Sequence, residues 1–186
     1  MQFSKVHAYF RPKRRVHRNY ILLSIANRMP PGKMKNWWIR RMGVDLGEDV
    51  FISPQVILDP VFPEFIHIGD NVFFGWNARI FTHIITPYTK NAFSKFMKMK
   101  EDGKIEVLKV ILSKGGKYKL ILAAGHIWIE DGAFIGGFTT VRAGVRIGEG
   151  ATVGSDSLVT KDIPPWSIAV GKPAKIRSGE DDSRGD

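Results

Sequence analysis

The chain lacks cysteine altogether, which excludes disulfides and thiolate-ligated metals. It lacks any uninterrupted apolar stretch near the roughly 20 residues a helix needs to cross a bilayer. It also lacks a signal-peptide pattern ahead of its first basic cluster. These features suit a cytoplasmic protein. Acid is nearly missing from the start: Asp45 is the one acidic residue of the first 45, against a basic series running from Lys5 to Arg41. The whole chain has a formal net charge of +10, which could serve nucleic acid, anionic lipid or a phosphorylated substrate. No zinc-finger, RNA-recognition or helix-turn-helix pattern accompanies the charge, so nucleic acid is set aside.

What is present is a period. From Ile129 the sequence divides into IEDGAF, IGGFTT, VRAGVR, IGEGAT, VGSDSL and VTKDIP, each opening on Ile or Val. A spacing of six matches neither the helical 3.6 nor the simple strand period of two. It fits a short strand plus a corner, repeated, with one aliphatic residue per piece pointing inward. Small residues such as Gly136, Gly148, Gly154, Ala133, Ala151 and Ser157 let the corners turn and stack closely. Such rungs cannot bury their faces singly, so the pattern predicts a parallel β-solenoid. The same frame occurs earlier at Leu46, Ile52, Leu58, Ile68, Phe74 and Ile80. It slips at the Pro-rich stretch 60–63 and again over 86–126.

With 186 residues, 44% of them apolar, the chain reads as one domain in three parts. Residues 1–45 form a basic helical cap, 46–177 the solenoid with an insertion at 86–126, and 178–186 a polar, disordered tail. In the cap, NYILLSIANRM from Asn19 and MKNWWIRRMG, closed by Gly43, read as two helices broken at PPGK. Trp37 and Trp38 beside Arg40 and Arg41 fit a cover over the open solenoid end. The alternative is contact with an anionic membrane surface. In the insertion, NAFSKFMKMKEDG reads as a helix, and KIEVLKVIL with KYKLILA as a hairpin around SKGGK. A segment this long outside the repeat is expected to be functional or mobile.

The hexads, followed by VTKDIPPWSIAVGKPAKIR at 159–177, resemble the hexapeptide-repeat acyltransferases. They resemble most the group of maltose, galactoside and capsule or lipopolysaccharide sugar O-acetyltransferases. The resemblance covers about 44–177. It implies an all-β, left-handed parallel β-helix of three hexads per turn, assembled as a homotrimer with sites between neighbouring helices. It also implies acetyl-coenzyme A as co-substrate, no resident metal, and a small-molecule or glycan acceptor. The chemistry needs one base to take the proton of an attacking hydroxyl, which an imidazole does near neutral pH.

Of the five histidines, His7 and His17 lie in the basic leader, and His67 alternates outward between Ile66 and Ile68. His83 stands where the repeat breaks into the insertion, and the resemblance makes it the catalytic base. In many sugar acetyltransferases a histidine falls two residues later, where this chain has Ile85. His126, at the insertion's other end, is the second candidate, placed with Asn77 on the acceptor side. Asn77 could instead be a corner residue tolerating a left-handed backbone. The resemblance puts Phe134, Gly137, Ser155 and Thr160 along the coenzyme groove, and Lys161, Lys175 and Arg177 near its phosphates. Two readings of other classes share the solenoid. One is a γ-class carbonic anhydrase-like metalloprotein, against which the lack of a histidine near 121 or 131 argues. The other is a non-catalytic scaffold.

Overall fold

The hexads wind into coils whose strands stack as three parallel sheets in the computed structural model, which describes residues 13–112 and 119–177. The first face holds β1 (Asp45–Leu46), β4 (Ile66–Ile68), β10 (Ile127–Ile129) and β13 (Arg146–Ile147). The second holds β2 (Phe51–Ile52), β5 (Phe73–Phe74), β11 (Phe134–Ile135), β14 (Thr152–Val153) and β16 (Ile168–Val170), with β17 (Lys175–Arg177) antiparallel at its end. The third holds β3 (Ile57–Leu58), β6 (Arg79–Phe81), β12 (Thr140–Arg142) and β15 (Leu158–Val159). Leu46, Ile68, Ile129 and Ile147 lie in register, as do Ile52, Phe74, Ile135 and Val153, and Leu58, Ile80, Val141 and Val159. The aliphatic first position of each hexad therefore forms three buried columns.

One expectation needs correction. Each hexad sends two residues inward, not one. The fifth positions Val50, Val56, Val72, Ala78, Ala133, Thr139, Val145, Ala151 and Ser157 are buried as well. Residues two apart along a strand share a face, so the fifth position and the next first position both face the core. The fourth position makes the corner. Asp49, Gln55, Asn71, Asn77, Phe138 and Asp156 all have φ between 51° and 61° there. Glycine at the second position serves close approach: a Cβ on Gly136 would lie 2.5 Å from Ser155 N.

Helices α1 (Lys13–Asn27) and α2 (Lys33–Met42) close the first coil. α1 begins six residues before the expected Asn19. An open solenoid end leaves backbone carbonyls unpaired. Here Asn36 Nδ2 donates to Val50 O at 2.8 Å, Lys35 Nζ to Ser53 O at 2.8 Å and Asn27 Nδ2 to Val56 O at 3.1 Å. Ala26 and Ile39 join the main core, with Trp38 packed against it. No helix among the described residues is long and apolar enough to cross a membrane.

The insertion is not a loose loop but a small folded unit. β7 (His83–Pro87), β9 (Lys119–Ala124) and β8 (Val107–Leu112) form an antiparallel sheet in that order, with α3 (Lys90–Glu101) joining β7 to β8. Phe96 of α3 packs with Ile105, Ile121 and Ala123 as a core of its own. The expected helix and hairpin are both there. The extra strand β7 has no hexad partner and pairs with β9 instead. The turn of the hairpin, the first twelve residues with His7, and the tail 178–186 lie outside the described residues.

Candidate active site

His83 follows directly on the end of the third face, where β6 gives way to β7. One coil below, at the same end, stands Asp59, whose backbone N–H donates to Ile80 O at 3.0 Å. Asp59 is wholly buried. Its Oδ1 accepts from the Val61 N–H at 2.9 Å. Its Oδ2 accepts from the Thr82 N–H at 3.0 Å, the Thr82 hydroxyl at 2.9 Å and His83 Nδ1. Burial pushes this carboxyl up, but the hydrogen bond and charge of His83, with the Val61 amide and Thr82, hold it below the ordinary value. Donation from Nδ1–H to Asp59 selects the tautomer whose lone pair is on Nε2. A carboxylate that orients an imidazole and can balance its charge prepares the ring for proton transfer.

An open cleft of about 270 Å³ lies beside this pair, lined by Phe81, His83, Ile84, Ile85, Arg142 and Leu158. The solenoid supplies Phe81, Arg142 and Leu158, and β7 supplies the two isoleucines. The insertion thus forms one wall of the cleft and is anchored by strand pairing, so the His83 ring rests on rigid backbone on both sides.

His126 does not join His83. The two are parted by Phe62 and Phe65, stacked at 5.3 Å, with Phe62 at 6.2 Å from the His83 ring and Phe65 at 4.4 Å from the His126 ring. His126 instead belongs to a row across the first face. Asp45 Oδ2 lies 3.1 Å from His67 Nδ1, His67 Nε2 lies 2.8 Å from His126 Nδ1, and His126 Nε2 lies 2.8 Å from Glu106 Oε2. Each contact needs one proton, three in all, and two neutral imidazoles carry only two. The row is complete when one ring is an imidazolium. It ties the exit from the cap, two coils and the insertion together. Trp128 stacks on His67 at 3.8 Å. Among the described residues no group of three or more histidines and carboxylates is placed to hold a metal ion.

Residues 126–161 match the family model for the bacterial transferase hexapeptide (six repeats). Over those residues the chain carries the hexapeptide repeat of bacterial transferases. It is 29% identical over 166 residues to "Putative acetyltransferase YvoF" of Bacillus subtilis (strain 168), covering 89% of this chain and 78% of that protein. Two solved structures share the fold. The hexapeptide-repeat acetyltransferase VCA0836 of Vibrio cholerae O1 biovar eltor, complexed with acetyl coenzyme A, has a TM-score of 0.59. Its identity is 20%, over 91% of this chain and 89% of that one. A galactoside acetyltransferase in complex with coenzyme A has a TM-score of 0.58 and 21% identity, over 91% and 82%.

Not all residues that the hexapeptide-repeat resemblance singles out meet on one chain. Gly137 and Ser155 lie on successive coils at the corner between the second and third faces, where the Asp156 N–H donates to Gly137 O at 2.8 Å. Asn77 sits at that corner one coil below, with φ 57°. Thr160 and Lys161, both exposed, follow β15 at the His83 end of the third face. Lys175 and Arg177 are exposed on β17, at the second face. Phe134 is also on the second face, in a row with Phe73 and Phe51 at 4.8 Å spacings. Asp59, Thr82 and Arg142 were not singled out from the sequence. The signal for Asp59 was an acid just behind Leu58, where the repeat slips.

Proposed function

We propose that this hexapeptide-repeat acetyltransferase moves the acetyl group of acetyl-coenzyme A to a hydroxyl of a sugar or glycan acceptor, with His83 as general base. The observation that carries the reading is the hydrogen bond between the buried Asp59 carboxylate and Nδ1 of His83, which lines the cleft. His83 Nε2 takes the hydroxyl proton as the oxygen attacks the thioester carbonyl. The C–S bond then breaks, and the departing thiolate recovers that proton from the imidazolium. Asp59 keeps the ring oriented and offsets its transient charge. No covalent intermediate on the protein is needed, so the missing cysteine is no obstacle.

His83 stands just past the end of the third face, while Phe134, Lys175 and Arg177 are on the second. A site that uses both sets is shared between neighbouring copies, which supports a homotrimer. Gly137 and Ser155 would then line the pantetheine arm, and Lys161, Lys175 and Arg177 the phosphates, with Thr160 alongside. The exposed basic helices remain a candidate contact for an anionic membrane surface. Their hydrogen bonds to the first coil support the capping role.

His83→Ala tests the reading. Thiol release from acetyl-coenzyme A in the presence of a responsive acceptor should fall by roughly 100- to 10,000-fold. Stabilisation of the protein by coenzyme A should be retained. A variant that keeps full turnover removes His83 as the base.

A further inference from the structure

We propose that Arg79 and Arg142 form an oxyanion-recognising pair beside His83, so that the acceptor carries a carboxylate or phosphate near the hydroxyl it presents. This rests on the acetyltransferase reading above and narrows its substrate class. Both arginines point outward from the third face, on adjacent strands. Arg79 is in register with Thr140, and Arg142 with Phe81. From ordinary strand spacing and rise, their Cα atoms are on the order of 8 Å apart, close enough for two guanidinium groups to converge on one anion. Arg142 also lines the His83 cleft.

Neither arginine is accounted for by the fold. Arg15, Arg40 and Arg146 each pair with a glutamate. Arg79 and Arg142 are half-buried, yet among the described residues neither guanidinium has a hydrogen bond or ion pair. The other outward positions of this face, Ile57, Phe81, Thr140 and Leu158, bring no acid to meet them. Partly desolvating a guanidinium without a partner is unfavourable. A planar fork of donors suits a carboxylate or phosphate held in two-point contact. The charge is therefore unpartnered on two adjacent strands, and Arg142 carries it to the cleft that His83 lines.

Three sources could supply such an anion: the acceptor, the phosphates of coenzyme A, or an acid of a neighbouring copy. Kinetics on matched acceptors separates them. Galacturonate against galactose, glucuronate against glucose, and glucose 6-phosphate against glucose are compared in wild type, Arg142→Gln and Arg79→Gln. The acetyl-coenzyme A KM and the sedimentation mass are measured alongside. Wild type should favour the acidic member of at least one pair by tenfold or more in kcat/KM. Arg142→Gln should bring that ratio near one with the acetyl-coenzyme A KM unchanged, and Arg142→Lys should restore it only in part. A rise in the acetyl-coenzyme A KM would give the arginines to the coenzyme, and a change in mass would give them to an interface. Either overturns the proposal. So does equal use of acidic and neutral sugars. If that neutral-sugar transfer is lost in His83→Ala, the arginine pair fails while the acetyltransferase reading stands. If wild type acetylates no sugar of either kind, the thermal midpoint decides. Galacturonate or glucuronate must raise it in wild type and not in Arg142→Gln, and failure to do so overturns the proposal.

Discussion

Replacing Asp59 with asparagine should damage catalysis mildly and stability measurably, because the side chain's surroundings dictate which way the amide turns. The carboxylate accepts one donor on Oδ1, the Val61 N–H, and three on Oδ2, from Thr82 N, Thr82 Oγ1 and His83 Nδ1. An asparagine can place its oxygen at only one of these positions. With the oxygen at the Oδ2 position, three contacts survive and the amide NH₂ faces the Val61 N–H. Turned around, it would set NH₂ against all three. The first orientation wins, and His83 keeps its tautomer. One buried N–H is then unsatisfied, which costs about 1–3 kcal/mol of folding stability. What catalysis loses is the charge opposite the imidazolium. Hydrogen bonds to a charged group contribute about 1.5–3 kcal/mol against 0.5–1.5 for neutral ones, so the deficit is about 1–2 kcal/mol. That corresponds to roughly a 5- to 30-fold fall in kcat. Thiol release at saturating acetyl-coenzyme A, with urea unfolding in parallel, measures both. A loss as large as that of His83→Ala would mean that the amide turned the other way and the orientation argument is wrong. An unchanged kcat would mean that Asp59 does not balance charge. The wild type should also lose stability as pH falls below the ordinary carboxylate value near 4, through the lower value Asp59 has when folded. In Asp59→Asn that part of the acid limb should be missing.

Burial lowers the Lys35 ammonium to about 8. The folded protein therefore sheds that proton before the unfolded chain does, and stability should rise from about pH 8 towards the ordinary lysine value near 10.4. Lys35→Met should flatten the rise between urea midpoints at about pH 8 and pH 9.5, and equal slopes would contradict it. Asn77 has the left-handed φ of a corner, so Asn77→Gly should retain turnover while Asn77→Val costs about 1–2 kcal/mol. A turnover collapse in the glycine variant would return Asn77 to the acceptor. Gly136→Ala would set a Cβ 2.5 Å from Ser155 N, forcing two coils apart at a cost of about 1–3 kcal/mol. A wild-type thermal midpoint would show that the coils yield more easily than their packing implies.

The solenoid was legible because its cause is local and repeated. An aliphatic residue at every sixth position survives in the sequence whatever the chain does elsewhere, and so do Pro60, Pro63 and the lysine-rich stretch where the frame fails. The buried fifth positions were taken for turn residues. Their small size serves both purposes, and only the direction of the strand tells them apart. Strand β7 was missed since nothing in HIITP marks it until β9 offers an edge.

The sequence by itself determined the repeat, its breaks and the position of His83 at one of them, because hydrophobic periodicity and chain interruptions are short-range properties. Only the tertiary structure decided that His83 meets Asp59 and that His126 meets His67. Stacking coils makes neighbours of residues 24 and 59 positions apart. Those separations depend on how much chain each interruption inserts between coils. No spacing rule records that length, so these pairs emerge only when the coils are stacked.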